Sequence, residues 1–425
     1  LLRAFYPHYT WEDMGGTHEK ESQKGVPVLV LSESLKKVSR VARPEEFGSC
    51  GCGHPVEGAM DDYILGTLED AGHDAGEVLM AVDGLRYALV GAGAVGSSLG
   101  SDMIQAGLNI TFIDQWWENV EAMKVNGLTI NLPSGTDKIS VSPLHIHEVA
   151  ETRGSFDVVF TAVKAYDTRW VAELMKPLMG EKSTFVGLQN GMTIDESSQV
   201  LGVDRSIGCV LGIAANMPEP GVVNREFGSS ETWLSVGEVS GTDTDRVHEV
   251  REALSHAARV EITDDIRSAK WMKLLANIPE MLPSAILGVP LLAAANTEGV
   301  REVMDQMSRE AYAVANELGI SFLPTLGLAA EAVANSDQYA IDLLDVILQS
   351  YSRPETKVAV LQDWEKGRRA EIDAFSGYIV SKAVEQGSEV PVNRAVVEIS
   401  RQIEVGEMVP SPDNRQLLLD TLANY

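Results

Sequence analysis

The chain has 425 residues, 44% of them hydrophobic, and a formal net charge of -28. This size and composition are typical of a globular protein of two or three domains, and so large an acidic excess repels nucleic-acid phosphates. No apolar run reaches the roughly 18 residues that span a bilayer, and three cysteines cannot build a disulfide framework. We therefore expect a cytoplasmic protein that binds neither nucleic acid nor membrane.

Residues 1–83 form an N-terminal extension whose structure the sequence leaves uncertain. The only clear strand candidate in this segment is Val26–Leu31. The stretch Cys50–His54 offers soft metal ligands, but no second pair of ligands accompanies it. A tetrahedral site needs four ligands, so we expect no metal there. The chain starts without methionine, and Met80 lies just before the first motif. We therefore expect residues 1–79 to be a fused fragment or translated upstream sequence.

The most informative motif is an apolar strand that runs into a glycine-rich turn. Arg86–Val90 is followed by G-x-G-x-x-G, and a second strand, Asn109–Asp114, comes after a helix-length gap. A β-α-β unit of this kind places a dinucleotide pyrophosphate at the N-terminus of its helix. The alternative is an ordinary glycine turn between a strand and a helix. The candidate cofactor-binding residues of the turn are Gly91, Gly93, Ala94, Val95 and Gly96.

Alternating strands and helices over residues 84–246 predict a Rossmann-type α/β domain with a parallel sheet. Further strand candidates in this region are Gly127–Asn131, Phe156–Val163, Thr184–Leu188 and a set between residues 206 and 238. Residues 247–425 change to helical spacing of apolar side chains and predict an all-helical C-terminal domain. Its predicted helices include Glu298–Leu318, Gln338–Gln349 and Glu371–Val384.

Polar residues follow two of the predicted strands. Lys164 comes directly after Phe156–Val163, and Asn190 follows Thr184–Leu188. Ligands of open α/β folds bind at the carboxyl edge of the sheet, so both residues are candidates for binding cofactor and substrate. Lys164 alone also fits an exposed loop lysine, and Asn190 with its following glycine also fits a simple turn.

A second group of candidates lies in the predicted helical domain. Lys273 and Asn277 are four residues apart, on one face of an apolar helix. Lys273 there fits either a proton donor or a core lysine that reaches solvent. Glu371 begins another predicted helix, where it could orient a lysine or be favoured by the helix dipole. In the first domain, His145 and His147 lie at strand spacing without a metal-ligand pattern, and we interpret them as structural.

From Leu85 to the C-terminus, the ordered motifs resemble the ketopantoate reductase (2-dehydropantoate 2-reductase) family. The resemblance rests on the glycine turn, Val163–Tyr166, Leu188–Gly191, Trp271–Asn277, Leu361–Asp363, Glu371–Asp373 and Val390–Asn393. It implies a Rossmann domain and a helical domain with the active site between them. It further implies a homodimer and the reduction of a 2-oxo acid to a D-2-hydroxy acid by NAD(P)H. In the family's commonest activity this is 2-dehydropantoate to pantoate, in pantothenate biosynthesis.

The resemblance also implies roles for the candidate residues. Lys273 matches the family's general acid, and Glu371 matches a catalytic carboxylate that assists the site. Asn277 matches a substrate-binding asparagine. Lys164 and Asn190 match positions that contact both cofactor and substrate.

The chain departs from the family's pattern in three places. Met281 replaces a common Asn and Ala359 a common Ser, and both changes remove polar partners for a hydroxylated substrate. Asp114 and Gln115 stand where NADP-using members carry an Arg, and a carboxylate accepts from ribose hydroxyls but repels a 2′-phosphate. Asp114 therefore favours NAD over NADP. Three hypotheses remain open: a ketopantoate reductase-like enzyme, an NAD-dependent D-2-hydroxyacid dehydrogenase with a more apolar substrate, and a non-catalytic dinucleotide-binding sensor.

Overall fold

The computed structural model describes residues 84–328, 330–333 and 336–423. The predictions made for residues 1–83, including the strand Val26–Leu31 and the stretch Cys50–His54, lie outside the described residues. Leu85–Tyr425 forms one compact unit. The division of this unit into two domains at residue 246 therefore stays a prediction.

An eight-stranded sheet organises the first part of the described chain. In spatial order its strands are β12 (Arg259–Ile262), β11 (Trp233–Glu238), β8 (Ser206–Gly212), β7 (Met179–Leu188), β6 (Phe156–Thr161), β1 (Arg86–Val90), β2 (Asn109–Asp114) and β5 (Ser142–His145). Neighbouring strands are parallel except β8 and β11. This confirms the predicted Rossmann-type fold, and β12 extends the sheet past residue 246.

Helices pack on the two faces of this sheet because its central strands are apolar on both faces. Leu89 of β1 belongs to one buried cluster, whereas its neighbours Ala88 and Val90 belong to another, as the two-residue repeat of a strand requires. The helices of this part are α1 (Ala94–Gln105), α2 (Trp117–Asn126), α3 (Thr168–Met175), α4 (Ile194–Leu201) and α5 (Asp245–Ser255).

A separate four-stranded sheet was not foreseen. Its strands, in spatial order, are β4 (Gly135–Ile139), β3 (Leu128–Leu132), β10 (Val222–Arg225) and β9 (Ala215–Glu219). The sequence assigns Gly127–Asn131 to the parallel sheet, and that assignment is wrong. Two residues separate β3 from β4, and so short a connection folds a strand back antiparallel on its neighbour. The strand set between residues 206 and 238 is confirmed, but it is divided between the two sheets.

Helices make up the rest of the described chain. They are α6 (Ile266–Leu287), α7 (Leu291–Ala295), α8 (Val300–Glu317), α9 (Ala330–Val333), α10 (Ser336–Ser350), α11 (Ala359–Glu365), α12 (Ser376–Gln386), α13 (Pro391–Glu404) and α14 (Arg415–Leu422). The apolar helix α6 is buried along most of its length and packs against α8, α10, α11 and α13. Within the described ranges, every helix is too short or too polar to cross a lipid bilayer.

The predicted helices Glu298–Leu318 and Gln338–Gln349 are confirmed as α8 and α10. The single helix predicted over Glu371–Val384 is wrong at its start. A one-turn 3-10 helix, Ile372–Ala374, ends at Phe375, whose backbone (φ -109, ψ -113) is not helical. Glu371 therefore precedes a single turn and does not begin α12.

Candidate active site

A cavity of about 1140 Å³ lies between the carboxyl edge of the large sheet and the helices. Its walls include residues that follow β1, β2, β6 and β7, together with residues of α6 and α11. Of the predicted site residues, Gly96 alone is absent from the wall. Those that line the cavity are Gly91, Gly93, Ala94, Val95, Asp114, Lys164, Asn190, Lys273, Asn277 and Glu371.

The glycine turn has a conformation that other residues cannot adopt. Gly91 has φ +95, and a Cβ there would lie 2.7 Å from the backbone nitrogen of Val163. A Cβ on Gly96 would lie 2.1 Å from the carbonyl oxygen of Gly91. At Gly93, by contrast, an added Cβ would meet no atom within 4 Å. The turn is therefore tightly packed beneath but open on its cavity side.

The cavity side of the turn fits a phosphate group. Helix α1 begins at Ala94, and no side chain caps its first backbone N–H groups. Ala94 and Val95 line the cavity. Free N–H groups and the helix dipole together favour a negatively charged ligand at this place.

Asp114 lies at the end of β2 and is only 8% exposed. One carboxylate oxygen accepts a hydrogen bond from the Ala92 N–H at 2.6 Å and the other from the Trp116 N–H at 2.8 Å. Burial raises the pKa of Asp114, although these hydrogen bonds oppose the rise. A carboxylate has about four acceptor sites, so the backbone holds Asp114 in place without using all of them.

A positive charge from the helical part of the chain, residues 266–422, lies at the same end of the cavity. The Arg368 guanidinium lies 4.3 Å from the centre of the Trp116 ring, a cation–π contact. Both residues line the cavity with Asp114. The sequence reasoning missed Arg368 because only the fold brings it beside the end of β2.

Lys164 is held by two carboxylates of the helical part. Its Nζ lies 2.6 Å from Asp363 Oδ2 and 3.2 Å from Glu371 Oε2. The second oxygen of Glu371 accepts the N–H of Ala165 at 2.7 Å. Glu371 thus orients a lysine, as one alternative expected, and that lysine is Lys164. We call Lys164, Asp363 and Glu371 the ion triad.

Charge and burial act against each other in the ion triad. Burial lowers the pKa of Lys164, but the carboxylates of Glu371 and Asp363 outweigh it and raise that pKa above its usual value. At Asp363, burial outweighs the ammonium of Lys164 and raises the carboxyl pKa. Lys164 therefore stays charged throughout the physiological range. Asp363 belongs to the family motif Leu361–Asp363, but nothing in the sequence shows that it pairs with Lys164.

Asn190 lies where β7 ends. The neighbouring Gln189 donates hydrogen bonds to the carbonyl of Val163 at 2.8 Å and to Thr168 Oγ1 at 2.9 Å, which fixes this edge of the sheet. The side-chain oxygen of Asn190 is buried without a hydrogen-bond partner among the described residues. Because such an atom carries a free-energy cost, an amide oxygen on a cavity wall indicates a ligand contact.

Lys273 and Asn277 lie on the cavity face of α6, as the four-residue spacing predicts. Both polar side-chain atoms of Asn277 are buried, and neither has a hydrogen-bond partner in the described part of the chain. Lys273 is half-buried and forms no ion pair with another described residue. A free ammonium and an unpaired amide on one wall can bind an anionic, carbonyl-containing ligand.

Lys270 is a functional candidate that the sequence reasoning missed. It is 3% exposed, and its Nζ donates to the carbonyl oxygens of Gln189 at 2.9 Å and Cys209 at 3.1 Å. Burial lowers the pKa of Lys270 to about 8. Lys270 thus attaches the start of α6 to the edge of the sheet, one turn before Lys273.

The lowered pKa of Lys270 makes stability depend on pH. Above about pH 8 the folded chain releases this proton, whereas the unfolded chain holds it up to its ordinary pKa of 10.5. The free energy of unfolding of the wild type should therefore rise between these values, by at most about 1.4 kcal/mol per pH unit. Chemical denaturation across this range should show that Lys270→Met lacks this rise. Parallel pH profiles of the two proteins would contradict the assignment.

His145 and His147 lie beside the cavity and not in it. Their rings stack with Trp117, at 4.0 Å for His145 and 6.3 Å for His147, and His145 Nε2 lies 2.7 Å from Glu121 Oε1. Among the described residues, no group of three or more His, Cys, Asp or Glu is placed to hold a metal ion. These contacts agree with a structural interpretation of the pair.

Two family models match most of the described chain. Residues 87–239 match "Ketopantoate reductase PanE/ApbA", and residues 265–404 match its C-terminal counterpart. The chain belongs to the ketopantoate reductase family. It is therefore an oxidoreductase of a dinucleotide-dependent family, and the resemblance expected from the ordered motifs is confirmed.

Individual relatives agree with the family models. The chain is 28% identical to a 2-dehydropantoate 2-reductase of Mesorhizobium japonicum, over 76% of this chain and 98% of that protein. The crystal structure of a ketopantoate reductase from Ralstonia eutropha JMP134 is 27% identical, with a TM-score of 0.64 over 76% of this chain and 99% of that one. A D-mandelate dehydrogenase with NADH and anilino(oxo)acetate has a TM-score of 0.67 over 76% and 99% of the two chains. Its identity is 19%, so it shows the fold alone.

Proposed function

We propose that this member of the ketopantoate reductase family reduces a 2-oxo acid to a D-2-hydroxy acid, with a nicotinamide dinucleotide as the hydride donor. One observation carries the proposal. The open glycine turn and the face of α6 that bears Lys273 and Asn277 line one cavity. A dinucleotide on the turn and a small anionic substrate on α6 would therefore share one cavity.

The proposed roles follow from the atoms that line the cavity. The glycine turn and Asp114 hold the dinucleotide, which supplies the hydride when bound. Lys273 attracts the 2-oxo acid and donates a proton from Nζ to the carbonyl oxygen, which becomes the hydroxyl of the product. Lys273 then regains a proton from solvent.

Two amides and the ion triad complete the assignment. Asn277 and Asn190 supply the unpaired amide atoms that bind substrate and cofactor. Glu371 fixes Lys164 at the sheet edge, so we assign Glu371 as a positioning residue rather than a proton donor. This differs from the catalytic role that the resemblance implies.

The direct test measures oxidation of NADH and NADPH with ketopantoate beside branched and aromatic 2-oxo acids. We expect turnover of at least one 2-oxo acid, and formation of the D-product by chiral chromatography. Tight dinucleotide binding without turnover of any 2-oxo acid would contradict the proposed reductase activity. It would support a non-catalytic dinucleotide-binding sensor.

A second candidate is an NAD-dependent D-2-hydroxyacid dehydrogenase whose best substrate is not ketopantoate. Met281 and Ala359 both line the cavity, and Asp114 faces it at the β2 end. Arg368 favours the other cofactor, NADP, because a guanidinium can donate hydrogen bonds to a 2′-phosphate. The ratio of NADH to NADPH turnover in Asp114→Asn and Arg368→Gln variants separates these two charges. NADPH with ketopantoate as far the best pair would contradict this second candidate.

A further inference from the structure

Glu280 is a buried carboxyl group on the wall of the cavity. It is 6% exposed and lies on α6, seven residues after Lys273 and three after Asn277. Residues at these spacings share one face of a helix. Lys273, Asn277 and Glu280 all line the cavity, so the face that carries the proposed proton donor continues to a carboxyl group.

Among the described residues, this carboxyl group has no direct hydrogen-bond or ion-pair partner. Burial raises the pKa of Glu280, while the charge of Lys273 opposes the rise. Both polar side-chain atoms of Asn277 are fully buried without a partner, whereas the carboxyl oxygens of Glu280 are not fully buried and line the cavity. Glu280 is therefore a polar group that a ligand in the cavity can reach.

The direction of α6 tells which part of a ligand Glu280 meets. The helix starts at the sheet edge, where Lys270 binds the carbonyls of Gln189 and Cys209. With a rise of about 1.5 Å per residue, Glu280 lies about 10 Å further along the axis than Lys273. A 2-oxo acid whose carbonyl oxygen faces Lys273 and whose side chain runs along α6 extends its far end toward Glu280.

We infer that Glu280 binds a hydroxyl group at the end of the 2-oxo acid remote from the carbonyl, and so selects hydroxylated substrates. A hydroxyl group donates to a carboxylate and accepts from a protonated carboxyl, so it suits both forms of Glu280. This inference rests on the proposed 2-oxo acid reduction and names a specificity-determining residue for it.

Glu280 offsets the loss of polar groups at Met281 and Ala359. Met281 and Ala359 remove polar partners at two positions of the wall, and from them alone a more apolar substrate is expected. Glu280, adjacent to Met281 in the chain, returns a polar group to the same wall. The cavity therefore keeps a partner for a hydroxyl group but supplies it from a different residue.

Matched substrate pairs test the inference. One pair is ketopantoate and its analogue with hydrogen in place of the hydroxyl group, and another is 4-hydroxyphenylpyruvate and phenylpyruvate. We expect the wild type to prefer the hydroxylated member of at least one pair by about 10- to 100-fold in kcat/KM, the size of a hydrogen bond to a charged group. Glu280→Leu should abolish this preference, and Glu280→Gln, which still bonds a hydroxyl, should retain most of it.

Two controls keep the outcomes distinct. Glu310 is another buried glutamate, bound to the N–H groups of Val392 and Asn393 and absent from the cavity wall. Glu310→Gln should affect stability without changing the substrate preference. The affinity for NADH, measured by its fluorescence, should be equal in wild type and Glu280→Leu.

The same measurements separate failure of the inference from failure of the proposed function. Equal turnover of both members of every pair, unchanged in Glu280→Leu, would overturn the role of Glu280 while 2-oxo acid reduction stands. Absence of turnover with every 2-oxo acid would overturn the proposed function itself.

Discussion

Replacement of Lys273 by alanine should lower kcat by about 10²- to 10⁴-fold, the usual contribution of a positioned proton donor. The carbonyl oxygen gains negative charge as the ketone is reduced, and Lys273 is the ammonium that we assign to protonate it. Its free position on the cavity wall leaves that ammonium available. Steady-state and single-turnover kinetics on the purified variant measure the effect.

Dinucleotide binding provides the control for this prediction. Lys273 lies on α6, whereas we assign dinucleotide binding to the glycine turn, so Lys273→Ala should bind NADH nearly as tightly as the wild type. Lys138→Ala, at an exposed position on β4, should keep full activity. Full turnover by Lys273→Ala would show that another group supplies the proton.

Lys164→Met should destabilise the fold by about 3 kcal/mol near neutral pH, because it leaves two buried carboxylates without their counter-charge. Asp363 and Glu371 have side chains only 7% and 10% exposed. Burial already raises the pKa of Asp363, and without Lys164 no ammonium opposes that rise, so the folded chain binds a proton there more tightly. The loss of stability should therefore be largest near neutral pH and shrink as the pH falls toward 5.

A neutral triad is the matched control. The triple variant Lys164→Met, Asp363→Asn, Glu371→Gln removes all three charges and should recover most of the lost free energy of unfolding. Urea denaturation of the wild type, the single variant and the triple variant gives both numbers. A single variant as stable as the wild type at every pH would show that the ion triad contributes no net stability.

The sequence predicted the parts of the fold that depend on local pattern. The glycine turn, the central strands and helices α8 and α10 follow from periodicity and from the space that a Cβ would need at Gly91 and Gly96. It misassigned β3, because its apolar pattern suits either sheet and only the two-residue connection to β4 decides. It also missed the break at Phe375, where packing overrides a continuous helical pattern.

The candidate site was predictable where one element carries the residues and unpredictable where two elements meet. The spacing of Lys273 and Asn277 placed both on one helical face, and the same spacing extended by three residues would have found Glu280. Arg368 beside Trp116, and Lys164 between Asp363 and Glu371, each join residues about 200 or more positions apart. No local pattern contains such pairings, because they exist only once the helices pack on the sheet.

The attachment of α6 to the sheet edge through Lys270 has a consequence for how the family's chemistry can diversify. A helix fixed at one end holds each of its residues at a set distance from the glycine turn. On the proposed roles, substitutions in its far half, at residues such as Glu280 and Met281, would alter which substrates fit while the distance from Lys273 to the reacting carbonyl stays the same. The residues proposed for proton donation and for substrate selection therefore lie on different turns of one helix, and either could change without rebuilding the other.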